Sequence, residues 1–370
     1  MKIAILGLSI TSSWGNGHAT TWRGLVRELA ARGHEVTFLE RDVPWYAQNR
    51  DLANPPYCRT ELYSTLDDLF SRYEEIVSKS DLTIVGSYVP DGVAVGDWVL
   101  GTTGGLTAFY DIDTPVTIGK LERGDYEYLH PAQIPRYDLY LSFTGGPMLR
   151  RLEHFWGARR AHALYCSFDP DLYFPESIPE EWALGYLGTY SPDRQPSLDE
   201  FLCRVAESRP EERFAVAGPL YPAEIEWPRN VQRFEHLSPD LHRRFYNSQR
   251  ATLNITRADM IRAGYSPSVR LFEAAACGTP IISDYWPGIE DFFLPDRAIR
   301  ISRRAEDVRR CLSLPDRVLR GIGIAARTRV MRCHSAARRA ADLEHLVISY
   351  TFHENHSEFS KKQIIPSGAK

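Results

Sequence analysis

The segment NITRADMIRAGYSPSVRLFEAAACGTPIISD (254–284) holds the densest set of groups suited to a phosphorylated ligand. It has the pattern strand, loop, short helix, strand. Arg257 and Asp259 lie in the loop, and GYSPS opens the helix. The backbone of Ser266, Pro267, Ser268 and Val269 falls at the helix's positive end, a natural seat for a diphosphate. Glu273 lies about one and a half turns further on, where a carboxylate could accept both hydroxyls of a ribose. A structural reading is also open: Glu273 in an ion pair on the helix face, and AAACG as tight packing against a sheet.

Three other loops could do chemistry. In SSWGNGHATTW (12–22), Gly15 and Gly17 permit a tight turn, and His18 stands at or just before a helix start. A helix N-terminus lowers the pKa of a nearby imidazole, so His18 could be a general base or orient a polar ligand. It could equally cap or pack. In YDIDTPVT (110–117), Asp111 and Asp113 flank Ile112. Such a pair could hold a divalent metal, bind sugar hydroxyls or act as acid and base, and Asp113 also suits a cap before Pro115. In LGTYSPDRQP (187–196), Gly188, Thr189, Tyr190 and Arg194 could grip a diphosphate or form an ordinary polar loop.

These loops need strands to hold them. Short apolar runs recur at 2–8, 35–40, 82–87, 106–113, 139–143 and 162–166, then again at 183–188, 213–218, 231–236, 252–256, 279–284 and 298–301. Such runs suit strands buried on both faces of parallel sheets, with helices between them. Trp22–Arg32 reads as one helix, Ser238 as the cap of another starting at Pro239, and Ser268–Cys277 as a third ending at Gly278. The expected fold is therefore α/β, with two Rossmann-like doubly wound domains facing a cleft. A proline-rich acidic stretch at 167–182 marks the break. The domains expected are 1–170 and 171–333, then a helix over 334–352 and a polar tail over 353–370.

Composition narrows the function. The chain has 370 residues, 43% hydrophobic and 25% charged, with a net charge of −4. This excludes a disordered or collagen-like chain and argues against a general nucleic-acid binder. The six cysteines form no CxxC pair, so neither a disulfide framework nor a zinc site is expected. The N-terminus reads as a strand rather than a signal peptide, and no run of about 18 apolar residues exists to span a membrane. A reducing cytoplasm is the expected compartment. NAD finds little support: the GxGxxG spacing is missing, and Glu40 alone could serve as a ribose acid after the second strand. Residues 297–339 hold 13 arginines and three acids. They are either solvated helix faces or a patch for an anionic substrate or membrane surface. The aromatics Trp14, Trp22, Trp45, Tyr46, Trp98, Phe109 and Tyr110 would suit stacking on a sugar or apolar acceptor, or core packing.

SVRLFEAAACGTPIISDYWPGIEDFF resembles the signature of group 1 glycosyltransferases of the GT-B fold. With GNGHATTWRGL, YDIDTPVT, YLSFTGGP, YLGTYSPDRQP and NITRADM, the sequence resembles in particular the CgeB-like, spore-maturation-protein-like branch. The resemblance covers most of residues 1–345. It implies a nucleotide-sugar donor, UDP- or dTDP-linked, bound mainly by the C-terminal domain, and an acceptor bound mainly by the N-terminal one. It also implies that 334–347 is a helix crossing back to the first domain. By the same resemblance Glu273 meets the donor ribose and Ser266, Pro267 and Ser268 the diphosphate. Gly188, Thr189 and Arg194 form the donor-side loop, and His236 and Leu237 lie near the base. The group often has a glutamate eight residues before the ribose one; here that position is Tyr265, so its contact to the donor sugar does not carry over.

The expected activity is transfer of a sugar from a nucleoside diphosphate to a small-molecule, glycan or protein acceptor, with no tightly bound cofactor and no metal. Arg194, Arg257 and the 266–269 helix start would stabilise the leaving diphosphate, and His18, Asp113 or Asp111 would take the acceptor proton. A nucleotide-sugar epimerase and a non-catalytic binding or spore-coat-type protein on the same fold are the alternatives.

Overall fold

The computed structural model describes residues 1–362, with side chains through Tyr350. The first sheet contains β1 (Lys2–Gly7), β2 (Glu35–Arg41), β3 (Arg59–Tyr63), β4 (Leu82–Gly86), β5 (Leu106–Asp111), β6 (Leu139–Ser142) and β7 (Ala161–Ala163). Their order is β3-β2-β1-β4-β5-β6-β7. The second contains β8 (Trp182–Leu187), β9 (Phe214–Ala217), β10 (Val231–Phe234), β11 (Gln249–Asn254), β12 (Ile281–Ser283) and β13 (Arg300–Ile301), in the order β10-β9-β8-β11-β12-β13. Every paired strand is parallel. Each sheet therefore reverses direction beside its first strand, and the two reversal points face one another across the cleft.

The central strands are largely apolar and buried, throughout β4 and β9 and, beyond the exposed Lys2, in β1. The periodicity missed β3 because RTELY is a half-exposed edge strand with two charges and no apolar run. The first helix starts at Ala19, one turn before Trp22, because His18 already takes the N-cap position. Ser238 does occupy the N-cap before Pro239, but its hydroxyl makes no capping bond.

The chain crosses between the domains twice, and the two crossings touch. Phe168 forms a β-bridge with Ser335, and the Ala336 amide donates to the Phe168 carbonyl at 2.9 Å. The closing helix, Ala336–Lys362, then packs on the first helix, Ala19–Ala31. Arg32 and His34 both engage Glu344, at 2.5 and 2.7 Å, and the Tyr350 hydroxyl donates to Asp138 at 2.9 Å. This helix runs through Lys362, so the tail expected from residue 353 is helical up to that point; 363–370 lie outside the described residues. An apolar cluster links the two domains, from Trp22 and Tyr110 through Phe168 to Phe272 and Phe292. No helix among the described residues is long and apolar enough to cross a membrane.

The arginine-rich segment divides in two. Arg300, Arg309, Arg338 and Arg339 pair with carboxylates, and Arg327 and Arg329 donate to backbone carbonyls. Arg303, Arg304, Arg310, Arg317, Arg320 and Arg332 lie exposed.

At the second crossing, His334 stacks on Phe272 with ring centroids 4.6 Å apart, and its Nδ1 accepts from Arg339 at 2.7 Å. Burial, then the charges of Arg339 and Arg329, lower its pKa from 6.5 to about 3. The imidazole is thus neutral in the fold. Below pH 6.5 the unfolded chain takes up the proton first, so stability falls as pH drops toward 3. Each pH unit in that window costs about 1.4 kcal/mol. The stability advantage of wild type over the non-titrating His334→Asn, read from urea midpoints, is expected to shrink by about 2 kcal/mol between pH 7.5 and pH 5. A constant advantage would refute a neutral buried His334.

Candidate active site

The cleft has a volume of about 450 Å³ and is lined by segments that follow β1, β5, β6, β8, β9, β10 and β11. This size suits a nucleotide-scale ligand.

The wall from the first domain rests on Glu40, at the end of β2. Its carboxylate is fully buried and accepts four hydrogen bonds from the loop after β1. The Ser9 and Thr11 hydroxyls reach Oε1 at 2.9 and 2.6 Å, and the Ile10 and Thr11 amides reach Oε2 at 2.7 and 3.1 Å. With both oxygens committed to the loop after β1, Glu40 has no place as a ribose ligand for NAD. The loop then turns at Gly15, with φ +60°, and Asn16 Oδ1 receives the His18 amide at 3.1 Å. Gly17 lines the cleft without a positive φ; a side chain there would meet nothing within 4 Å.

His18 faces the cleft, its ring 5.9 Å from that of Phe143. Burial is the largest cause lowering its pKa below 6.5; the Asp113 carboxylate opposes this and Arg257 reinforces it. Asp113 stands at the N-cap of the helix Thr114–Glu122 but makes no cap bond. Instead Oδ2 accepts from the Tyr88 hydroxyl at 2.9 Å and meets Arg257 of the other domain at 3.5 Å. Tyr88 holds a positive φ of 65° just after β4.

Asp111 does not join this group. It is fully buried and lies outside the cleft lining. Oδ2 takes the Tyr140 hydroxyl at 2.6 Å, and Oδ1 takes the Thr117 hydroxyl and the Asp113 amide at 2.7 and 3.2 Å. Burial raises its pKa to about 6. The chain leaves β5 at Asp111, so strand alternation no longer holds at Asp113, and the two carboxylates do not converge on one ligand. Asp111 holds the loop that presents Asp113. Among the described residues no cluster of three or more His, Cys, Asp or Glu is gathered for a metal ion.

The wall from the second domain is cationic. Arg194 is buried, and its Nη2 donates to the Thr189 carbonyl at 2.5 Å. Arg270 lies 5.2 Å over the Tyr186 ring, and its Nε donates to the Ser268 hydroxyl at 3.1 Å. Arg194 Nε and Arg270 Nη1 are buried N–H groups without an acceptor. Burial, then the neighbouring charge of Arg270, lowers the pKa of Arg194. The Gly188 backbone packs against Tyr186 and Arg270: a Cβ there would sit 2.7 Å from the Tyr186 hydroxyl and 2.9 Å from Arg270 Nη1, and one on Gly218 would sit 2.1 Å from the Gly188 carbonyl oxygen.

Ser268 is the N-cap of the helix Val269–Ala276, with no side-chain cap bond, so the first amides of that helix open toward the cleft. Pro267 brings no N–H; its carbonyl accepts from the Cys166 thiol at 3.4 Å. The Ser266 hydroxyl bonds Thr144 of the first domain at 2.9 Å. Glu273 lines the cleft and accepts the Tyr246 hydroxyl on Oε2 at 3.2 Å, with His242 at 4.0 Å. Gly188, Thr189, His236, Leu237, Arg257, Ser266, Pro267, Ser268 and Val269 all line the same cleft. Tyr190 does not; its amide donates to the Pro219 carbonyl at 3.0 Å and its ring packs on Tyr221. Sequence reasoning missed Arg270, Tyr88 and His242. A signal for Arg270 existed, as the lone cation of the helix VRLFEAAA, whose one other charged residue is Glu273.

Tyr265 stands where the two domains touch. It keeps a positive φ of 49°, and its carbonyl accepts the Gly145 amide at 2.9 Å. Its ring leaves no room for a Cβ on Gly146 of one domain or Gly288 of the other, which would approach within 2.4 and 2.5 Å.

Residues 194–345 match a family model described as glycosyl transferase-like. No curated protein matches the sequence significantly. Solved structures similar to the chain include sucrose-phosphate synthase from Thermosynechococcus elongatus, at TM-score 0.69 and 15% identity over 95% of this chain and 99% of that one. Anabaena HepE in complex with UDP-glucose gives 0.71 and 12% over 94% and 100%. An alpha-glucosyltransferase in complex with UDP gives 0.70 and 11% over 94% and 99%. Another structure of that alpha-glucosyltransferase contains UDP-glucose and DNA. The fold is thus GT-B.

Glu40 supplies the prediction here. Glu40→Ala leaves two buried amides and two hydroxyls without an acceptor and is expected to cost about 3 kcal/mol or more, read as a drop in urea midpoint. A loss below about 1 kcal/mol would show that the 9–11 loop does not depend on this carboxylate.

Proposed function

We propose that the protein transfers a sugar from a nucleoside diphosphate sugar to an acceptor hydroxyl. One observation carries this reading. Arg194 and Arg270 bring two cationic groups with unfilled buried N–H donors to the open amides of the Val269–Ala276 helix. Only a multiply charged anion satisfies all of them together. The family match over 194–345 and the UDP held by structural relatives support a diphosphate attached to a nucleoside, with UDP favoured over dTDP.

In this arrangement Glu273 takes the ribose hydroxyls, and His236 and Leu237 flank the base. The diphosphate lies between Arg194, Arg270 and the 266–269 segment, with Arg257 at its outer edge. When the bond from the sugar C1 to the diphosphate breaks, its electron pair leaves with the diphosphate. The fixed cations and amides stabilise that charge without reorganising. The acceptor hydroxyl approaches from the first domain and gives its proton to His18, beside Asp113. The low pKa of His18 keeps it neutral and able to accept near pH 7. An epimerase or a non-catalytic binder would share the donor wall; His18 and Asp113 opposite that wall favour transfer.

Within this reading the motifs support membership of the CgeB-like branch, and six free cysteines suit a reducing cytoplasm. The exposed arginines of 297–339 would suit weak association with an anionic membrane surface. A structure of the alpha-glucosyltransferase on the same fold contains DNA, so the fold does not by itself exclude nucleic acid.

Arg270→Met is the first test. It is expected to weaken UDP binding by roughly 10- to 100-fold in calorimetry. The same change removes an uncompensated charge, so the unliganded variant is expected to unfold no earlier than wild type. Unchanged UDP affinity, or no UDP binding by wild type, would overturn the diphosphate site. The second test is the pH profile of sugar transfer. The acid limb of kcat/KM is expected below pH 6.5, and His18→Ala is expected to lose roughly 10²–10⁴ in rate together with that limb. A limb that survives in the variant would remove His18 as the base.

A further inference from the structure

The aromatic residues of the first domain separate into two groups. Trp22, Phe109 and Tyr110 are fully buried, Tyr46 is nearly so, and Trp98 stacks on Phe70. Trp14 and Trp45 instead leave 48% and 51% of their surface in solvent. Trp14 sits between Ser13 and Gly15, both of which line the cleft on the His18 side. Trp45 lies on the segment after β2, and that segment is laced to the Trp14 loop. The Ser12 hydroxyl donates to the Asn49 carbonyl at 2.7 Å, the Ser13 amide to Asp51 at 2.8 Å, and the Leu52 amide to the Thr11 carbonyl at 3.1 Å. The segments carrying the two indoles are therefore braced to one another at the edge of the cleft, with the indoles themselves outside its lining.

Their surroundings indicate what they bind. The exposed residues around Trp45 are Asp42, Pro44, Ala47, Gln48 and Asn49, with no leucine, isoleucine or phenylalanine among them. A lipid or other fully apolar acceptor needs a continuous apolar wall. A sugar ring offers an apolar C–H face, which stacks on the negative face of an indole, and a rim of hydroxyls that amides and carboxylates can bind. Rigid indoles provide such contact area at low entropic cost.

We propose that Trp14 and Trp45 form an acceptor subsite for a carbohydrate, so that the protein extends a glycan rather than modifying a lipid. This rests on the sugar-transfer reading above. The polar rim turns the sugar so that one hydroxyl faces His18.

The test uses the full chain, a printed array of mono- to pentasaccharides and a detergent-dispersed polyprenyl phosphate. At least one oligosaccharide is expected to bind and to shield the iodide-accessible part of the tryptophan fluorescence, of which Trp14 and Trp45 are the exposed sources. The double variant Trp14→Ala/Trp45→Ala is expected to bind that oligosaccharide at least tenfold more weakly. Its UDP affinity is expected to stay within twofold of wild type, which also reports that it is folded. Conservative replacement of each indole by Phe is expected to restore much of the binding. The proposal is overturned if the array is silent, if the double variant binds the glycan unchanged, or if only the polyprenyl phosphate shields the indoles. Failure of wild type to bind UDP while glycan shielding persists would overturn the donor reading and leave the carbohydrate subsite standing.

Discussion

The cleft depends on holding Arg194 and Arg270 close to Gly188 with no carboxylate paired to either. Taking guanidinium groups out of water is costly, and leaving their N–H groups unfilled adds to the cost. The chain offsets part of it locally. The Thr189 carbonyl and Ser268 hydroxyl each accept one N–H, and the Tyr186 ring lies under Arg270. The rest is left for a ligand. Gly188 and Gly218 are required because the backbone must pass where side chains would otherwise stand. The wall is thus set before any anion arrives, which is the condition for strong electrostatic stabilisation of a leaving group.

Facing it, the first domain uses the opposite strategy. Its buried carboxylates are saturated: Glu40 takes four bonds from the loop after β1, and Asp111 takes three from neighbouring groups. Among its described carboxylates and imidazoles, Asp113 and His18 line the cleft. One domain therefore contributes unfilled donors and the other a sparse set of acceptors, and Arg257 with Asp113 joins them across the gap.

Much of this was legible in the sequence. The apolar runs gave twelve of the strands because parallel strands are buried on both faces and leave an unbroken signature. β3 escaped because edge strands carry charges. The donor loops were legible because Gly, Ser and Pro before a short apolar helix mark a helix start. Side-chain direction was not legible. Asp111 and Asp113 differ by two positions, yet the chain leaves the strand between them, so period-two reasoning does not apply. Tyr190 looked equivalent to Thr189, but the turn carries its ring onto Tyr221. Arg270 was hidden because charges on helices usually face solvent, and only the tertiary fold shows that this one is enclosed. The two exposed indoles could not be told from five packed aromatics by composition alone.

The contact between the two crossings of the chain has a mechanical meaning. Two segments joining two bodies at separate places would brace them rigidly. Here Phe168 and Ser335 pair directly, so both connections pass through one place. Bodies joined at one place can turn about it. Any swing of the sheets about that place changes the width of the cleft at its mouth. The contacts at Tyr265, Ser266 and Arg257 then act as the stop against which that swing comes to rest.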